Sequence, residues 1–356
     1  MKSPAELARD CIKSIRPYSP GRTAPIKLAS NENPLGPSPK ALAAMEQAIR
    51  ETRLYPDLPS TELTHAIARH HDVAPECVVV GAGSDEVIYM LGMAYVNPGE
   101  EVVISSPPFA TYCLIAPVME AKLVMVPAKD YRHDLEAMAE ACTDKTKLVF
   151  ISNPYNPTAT IVRKAEVDRF LSAVPEQTIV VLDEAYFEYV DDPEYPDGLD
   201  YVRQGLNVLS MRTFSKIHAL AGLRIGYGVA PAELAKWLLL VREPFNVSSI
   251  AQAAALASLE DREQIAQAVA LNAEGKAYLC GEFDALGLTY APSQANFIFV
   301  DIGMDSVQAF DALRQRGFAV RTGDIFGMPT HIRVTIGTAE QNGRFVAALG
   351  EVLNRP

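Results

Sequence analysis

The sequence predicts an α/β protein: a larger domain on a mainly parallel sheet wrapped by helices, followed by a smaller α+β domain. Three observations predict it. Short apolar runs alternate with helical patterns from residue 78 onward, the rhythm of strand–helix–strand units. The runs are continuously apolar rather than alternating, which fits strands covered on both faces. After Ser248 the order changes, with a long helical stretch followed by closely spaced strand-like segments.

The strand-like runs lie at residues 78–80, 102–104, 123–126, 148–151, 179–182, 208–210 and 224–228. Helical patterns occupy residues 85–95, 112–119 and 163–173, and an earlier one spans 40–53. Residues 1–39 are rich in Pro, Asn and Gly with little periodicity and read as an extended arm. The larger domain is assigned to 40–247 and the smaller to 248–356. In the latter, a helical region at 251–286 precedes strand-like 297–300, a helix at 307–316, strand-like 318–321 and 332–336, and a last helix. Thr338 and Gln341 have the spacing of that helix's capping box.

The 356 residues are 49% hydrophobic and 21% charged, the balance of a globular protein able to bury a core without staples. No apolar run has the length of a membrane span, and residues 1–17 lack the apolar stretch of a signal peptide, so a cytoplasmic location is expected. The net charge of −12 argues against nucleic-acid or anionic-membrane partners. Five scattered cysteines without a C-x-x-C pair read as small buried hydrophobes in a reducing compartment. An acidic protein that binds an anion must gather its cations locally.

Lys216 ends Arg212-Thr-Phe-Ser-Lys216, just after the run at 208–210. Ligands of open α/β sheets sit at the carboxyl ends of strands, and a lysine in a dry pocket there can attack a carbonyl, although most lysines are solvated surface charges. Asp183 ends a buried run, where a carboxylate needs a partner; a helix cap, a metal ligand and a cofactor ring nitrogen all suit it. Tyr186 can reach the same place or pack as a core aromatic. Gly81-Ala-Gly-Ser-Asp-Glu86 opens a helix after a strand and suits a phosphate. It is an incomplete dinucleotide fingerprint, because Glu86 stands where the third glycine belongs. Asn153-Pro-Tyr-Asn-Pro-Thr158 is a turn whose Asn156 can meet a ligand oxygen. Arg224, eight residues past Lys216, offers a fork of donors to a phosphate or a structural ion pair. Arg321 and Arg333 are cations in strand-like segments, suited to a carboxylate or simply exposed.

Taken in order, these segments resemble the pyridoxal-5′-phosphate (PLP) dependent aminotransferases of fold type I, over nearly the whole chain, and are most similar to the histidinol-phosphate aminotransferases. The resemblance also rests on Ile15-Arg-Pro-Tyr-Ser-Pro-Gly21, Leu28-Ala-Ser-Asn-Glu-Asn-Pro-Leu-Gly36, Tyr55-Pro-Asp57, Asp183-Glu-Ala-Tyr186, Ala221-Gly-Leu-Arg-Ile-Gly-Tyr227, Pro244-Phe-Asn246 and Ile332-Arg-Val-Thr-Ile-Gly337. It implies an α/β/α sandwich with PLP held on Lys216 as a Schiff base, and no metal. It implies that Asp183 pairs with the ring nitrogen, that Asn156 and Tyr186 bond the phenolic oxygen, and that an aromatic, here Phe109, stacks on the ring. Ala82, Gly83, Ser84, Thr213, Ser215 and Arg224 would hold the phosphate, joined by Tyr55 from a partner subunit, hence a homodimer with shared sites. Arg333 would hold the substrate carboxylate, with Tyr18 and Arg321 at the side-chain end. The implied reaction transfers the amino group of L-histidinol phosphate to 2-oxoglutarate, a step of histidine biosynthesis.

Phe109 stands where relatives usually carry Tyr, Ala159 where the turn usually carries Gly, and His218 follows Lys216 where an aromatic and a Gly are common; His218 is expected to be a satisfied residue behind the site. An aromatic amino acid aminotransferase and a PLP-dependent phospho-amino-acid decarboxylase would use the same residues. A nucleotide-binding dehydrogenase would leave Lys216, Asp183 and the arginines without a role, and a non-catalytic binding module would be indifferent to loss of Lys216.

Overall fold

The computed structural model describes residues 3–13, 15 and 21–354. A short strand β1 (Ile26–Lys27) is followed by β2 (Val78–Gly81), β3 (Glu101–Ser106), β4 (Lys122–Pro127), β5 (Thr146–Ser152), β6 (Ile179–Asp183), β7 (Val208–Thr213) and β8 (Gly226–Val229). Strands β2–β8 form one seven-stranded sheet in the order β2-β8-β7-β6-β5-β3-β4. Strands β3–β7 pair in parallel, while β8 is antiparallel to both neighbours. The sheet is thus mainly parallel, as expected, with one reversed strand.

Alternate residues of β5 show why both faces are apolar. Leu148 and Phe150 enter the core on one side, with helix Ser84–Tyr95. Val149 and Ile151 enter the core on the other, with helix Lys164–Ala173. A strand sends successive side chains to opposite faces, so a sheet with helices on both leaves no polar alternation to read.

The C-terminal part has β9 (Thr289–Tyr290), β10 (Phe297–Asp301), β11 (Phe318–Ala319), β12 (Arg321–Thr322) and β13 (His331–Thr335). An antiparallel sheet runs β12-β13-β10-β9 and buries Ile298, Val300, Ile332 and Val334 against Phe310 and Phe345 of flanking helices. The last helix, Ala339–Val352, opens with the expected capping box of Thr338 and Gln341.

Three differences from the sequence reading have local causes. The strand-like stretch at 318–321 divides between two sheets. The helical region at 251–286 is two helices, Ser249–Leu259 and Arg262–Ala285, separated at Glu260 and Asp261; the first packs Ala251, Ala254 and Ala255 with Ala41 and Leu63 of the larger part. Finally, the early segment is more than an extended arm. It holds short helices Pro4–Leu7 and Asp10–Lys13, and β1 pairs in parallel with β11, burying Leu28 in the smaller core. Two-residue strands carry no readable period. Among the described residues, no helix is long and apolar enough to cross a membrane.

Candidate active site

Five strands of the large sheet release their functional segments from the same carboxyl edge: Ala82–Ser84 after β2, Phe109 after β3, Asn156 after β5, Asp183 and Tyr186 at β6, and Lys216 after β7. Because β8 runs the other way, it begins at this edge, and Arg224 lies just before it.

Lys216 is set by its neighbours. Phe214 and Ile217 are both fully buried but belong to different apolar clusters, one beneath the sheet and one shared with Phe297 of β10. Anchored on both sides, the lysine lies between the two parts of the chain. Its Nζ donates to the Ser30 carbonyl at 3.0 Å. Burial, reinforced by the Arg333 charge, pulls its pKa down to about 8, so the nucleophilic neutral amine is accessible near neutrality.

Asp183 is buried at the end of β6. One carboxylate oxygen accepts the Tyr112 hydroxyl proton, and the other accepts the Ala185 N–H at 3.2 Å. Burial outweighs both bonds and raises its pKa to about 6. The Tyr112 ring stacks on Phe150 at 4.5 Å and meets the edge of Phe109 at 5.4 Å. Tyr186 accepts from Asn31 Nδ2 at 2.9 Å, and burial raises its pKa.

At the helix end, Gly83 has φ +79°, and a Cβ there would lie 2.6 Å from Arg224 Nη2; one at Gly226 would lie 2.5 Å from the Ser84 nitrogen. Both glycines are therefore required for this close approach. Arg224 Nη2 pairs with Asp85 Oδ2 at 3.1 Å. The Ala82 N–H already donates to Glu86 Oε2 at 2.5 Å, which separates Ala82 from the donors of Gly83 and Ser84. Thr213 and Ser215 are buried beside them, joined by Ser215 N–H to Thr213 Oγ1 at 3.1 Å.

Arg333 is buried on β13. Its Nη2 donates to the Ala29 carbonyl at 2.9 Å, its Nη1 donates to Asn156 Oδ1, and its guanidinium lies 5.2 Å from the Phe297 ring. Arg321, on β12, is its direct cross-strand partner. Tyr55 stands apart: it is 82% exposed and stacks on Phe245 at 4.6 Å. Tyr18 lies outside the described residues.

Residues 23–349 match the family of class I and II aminotransferases. The chain belongs to the class I and II aminotransferases. It is a PLP-dependent transaminase of fold type I. A histidinol-phosphate aminotransferase of Moorella thermoacetica is 50% identical over 97% of this chain and 92% of its own length. One of Caldicellulosiruptor saccharolyticus is 42% identical over 98% of this chain and all of its own length. The crystal structure of histidinol-phosphate aminotransferase from Sinorhizobium meliloti, in complex with pyridoxal-5′-phosphate, superposes with a TM-score of 0.90 at 31% identity, covering 97% of both chains.

In this aminotransferase Ala159 takes φ +65° and is fully buried, so the turn keeps the left-handed backbone that glycine adopts without strain. His218 is buried, bonds Ser258 Oγ through Nδ1 at 2.9 Å and is held neutral by burial, with a pKa lowered to about 4. Sequence reasoning missed Tyr112, whose only signal is its position one helical turn past Phe109. It also missed residues 29–31, which meet Arg333, Lys216 and Tyr186 in turn. Two of those bonds use backbone carbonyls, which carry no side-chain signature.

Proposed function

We propose that this aminotransferase is a histidinol-phosphate aminotransferase, converting L-histidinol phosphate and 2-oxoglutarate to imidazole acetol phosphate and L-glutamate. The observation that carries the substrate assignment is the 50% identity with the Moorella thermoacetica enzyme over 97% of the chain. The facing arginines Arg321 and Arg333 support a substrate with an anionic group.

The residues fit PLP. Asp183 is a buried carboxylate whose pKa is raised by burial, a cost that a pyridinium N–H beside it would offset. Gly83 and Arg224 make a cradle that a Cβ would fill, beside the first N–H groups of helix Ser84–Tyr95, which have no intrahelical acceptor. When bound, PLP supplies an electron sink for the substrate's Cα.

Lys216, Asp183 and Tyr186 are the catalytic set. Lys216 would hold the cofactor, and its amine, with a pKa lowered by burial, would move a proton to and from the substrate's Cα. Asp183 would pair as a carboxylate with the cofactor's ring nitrogen, with Tyr112 fixing its orientation. Asn156 and Tyr186 orient the cofactor's phenolic oxygen; Gly83, Ser84, Thr213, Ser215 and Arg224 bind its phosphate; Phe109 covers a ring face. Ala82 contributes shape, since its N–H serves Glu86. Arg333 binds the acceptor's carboxylate, while Arg321 and Tyr18 serve the substrate's far end. Tyr55, exposed in a single chain, completes the site of a second copy in a homodimer. The division into an arm at 1–39 and domains at 40–247 and 248–356 belongs with this proposal, as does a cytoplasmic location, which the unbridged thiols of Cys77, Cys113, Cys142 and Cys280 suit.

The test is a half-reaction without keto acid. L-histidinol phosphate should bleach the cofactor's visible absorbance rapidly at low concentration, and L-phenylalanine slowly. Equal or faster bleaching by phenylalanine would reassign the enzyme to aromatic amino acids.

A further inference from the structure

Asn31 has backbone φ +56° and is almost fully buried. Its polar groups are bonded in a directional order. Its N–H donates to Thr335 Oγ1 at 2.9 Å. The Thr335 hydroxyl donates to Asn31 Oδ1 at 3.2 Å. The Asn31 carbonyl accepts from Asn296 Nδ2 at 3.0 Å. With Oδ1 engaged as an acceptor, the Nδ2 group faces Tyr186 and donates to its Oη at 2.9 Å. A phenol has one proton to donate. As Asn31 fills an acceptor position on Oη, the Tyr186 proton must point elsewhere.

We propose that Asn31 is a positioning residue that fixes the direction of the Tyr186 O–H, so that the phenol donates to the cofactor's phenolic oxygen instead of accepting from it. The proposal rests on the assignment of Tyr186 made above and adds what enforces it. It also names the connection through which the smaller sheet acts. Thr335 lies on β13, two residues from Arg333 and on the same face of the strand, and Asn296 immediately precedes β10. All three bonds that orient the Asn31 amide and its backbone come from that sheet or from the residue leading into it. The Tyr186 hydroxyl is therefore correctly aimed only when the smaller sheet is seated against residues 28–33.

A donated proton withdraws charge from the phenolic oxygen and so lowers the proton affinity of the bound cofactor. The pH midpoint of the resting holoenzyme's visible absorbance reads this without turnover. The experiment compares wild type, Asn31→Gly, Tyr186→Phe and the double variant; glycine retains the left-handed backbone and deletes the amide. Tyr186→Phe should raise the midpoint by about one pH unit. Asn31→Gly should raise it by a substantial fraction of that. In the double variant the two shifts should not add, because both act through one proton.

A shift with Tyr186→Phe and none with Asn31→Gly overturns the role of Asn31 and leaves that of Tyr186 standing. A fall of the midpoint in Asn31→Gly also overturns it, because Tyr186 would then have been donating to Asn31. Full additivity means that Asn31 acts by another route. No shift with Tyr186→Phe removes the underlying assignment, and the proposal with it.

Discussion

Arg321 and Arg333 face each other directly across the β12–β13 pair, where cross-strand side chains share one face. Like charges directly opposite one another on a sheet repel. Arg333 is the more deeply buried and lies against Phe297, so its charge is the less screened. Arg333→Ala should lower kcat/KM for 2-oxoglutarate by about 10–100-fold, the range of a lost charge-assisted hydrogen bond. Arg321→Ala should act chiefly on the KM for histidinol phosphate. Steady-state kinetics with each substrate varied in turn separates the two; equal effects of both variants on both substrates would refute the division of labour.

Lys216 should be dispensable for folding and required for turnover. Its folded pKa of about 8 lies below the ordinary lysine value, so between about pH 8 and 10.4 the unfolded chain binds the extra proton and stability rises with pH. In the cofactor-free protein, wild type should gain about 2–3 kcal/mol over that interval relative to Lys216→Met. Denaturant melts of both proteins at pH 7.5 and 10 measure the difference. Parallel pH profiles would mean that the lysine is not desolvated, and residual steady-state transamination by the variant would remove it from the catalytic set.

Asp183 should show the opposite sign. Its folded pKa, about 6, exceeds the ordinary carboxyl value. The folded cofactor-free protein then holds the extra proton between about pH 4 and 6, and stability falls as pH rises through that window. Asp183→Asn should consequently stabilise the cofactor-free protein at pH 7 by about 2–3 kcal/mol and leave it unchanged at pH 4. The same variant should lose most activity, because an amide does not favour the pyridinium. Melting temperatures at the two pH values, beside the rate at pH 7, decide it; a variant less stable at pH 7 would show that Tyr112 and Ala185 already compensate the charge.

How much of this site was legible in the sequence depended on whether a residue marks the end of a strand. Asp183 and Lys216 follow buried runs, Gly81-Ala-Gly-Ser opens a helix, and each was found from its place in that rhythm. The supporting groups had no such marker. Tyr112 looks like one more apolar face of a helix, and its hydroxyl matters only because parallel pairing sets β6 two places from β3, with β5 between them. Ser30 and Ala29 act through carbonyls, so any residue type would serve. The pairing of β1 with β11 involves two residues on each side separated by most of the chain, a contact that periodicity cannot register.

Tyr55 offers the test of shared sites. Its ring lies exposed on Phe245, and its proposed cofactor contact would be made in the site of a second copy. Tyr55→Ala alone should weaken PLP binding, and Lys216→Ala alone should be inactive. Combining the two variants by denaturation and refolding gives mixed dimers in which one site lacks both residues and the other has both. Random pairing of equal amounts should restore about a quarter of wild-type activity, because half the dimers are mixed and each holds one intact site. Activity no greater than the sum of the separately refolded variants would mean that Tyr55 serves its own chain or no site at all. Recovery near one quarter, appearing only after refolding together, would establish that the site is built from two copies.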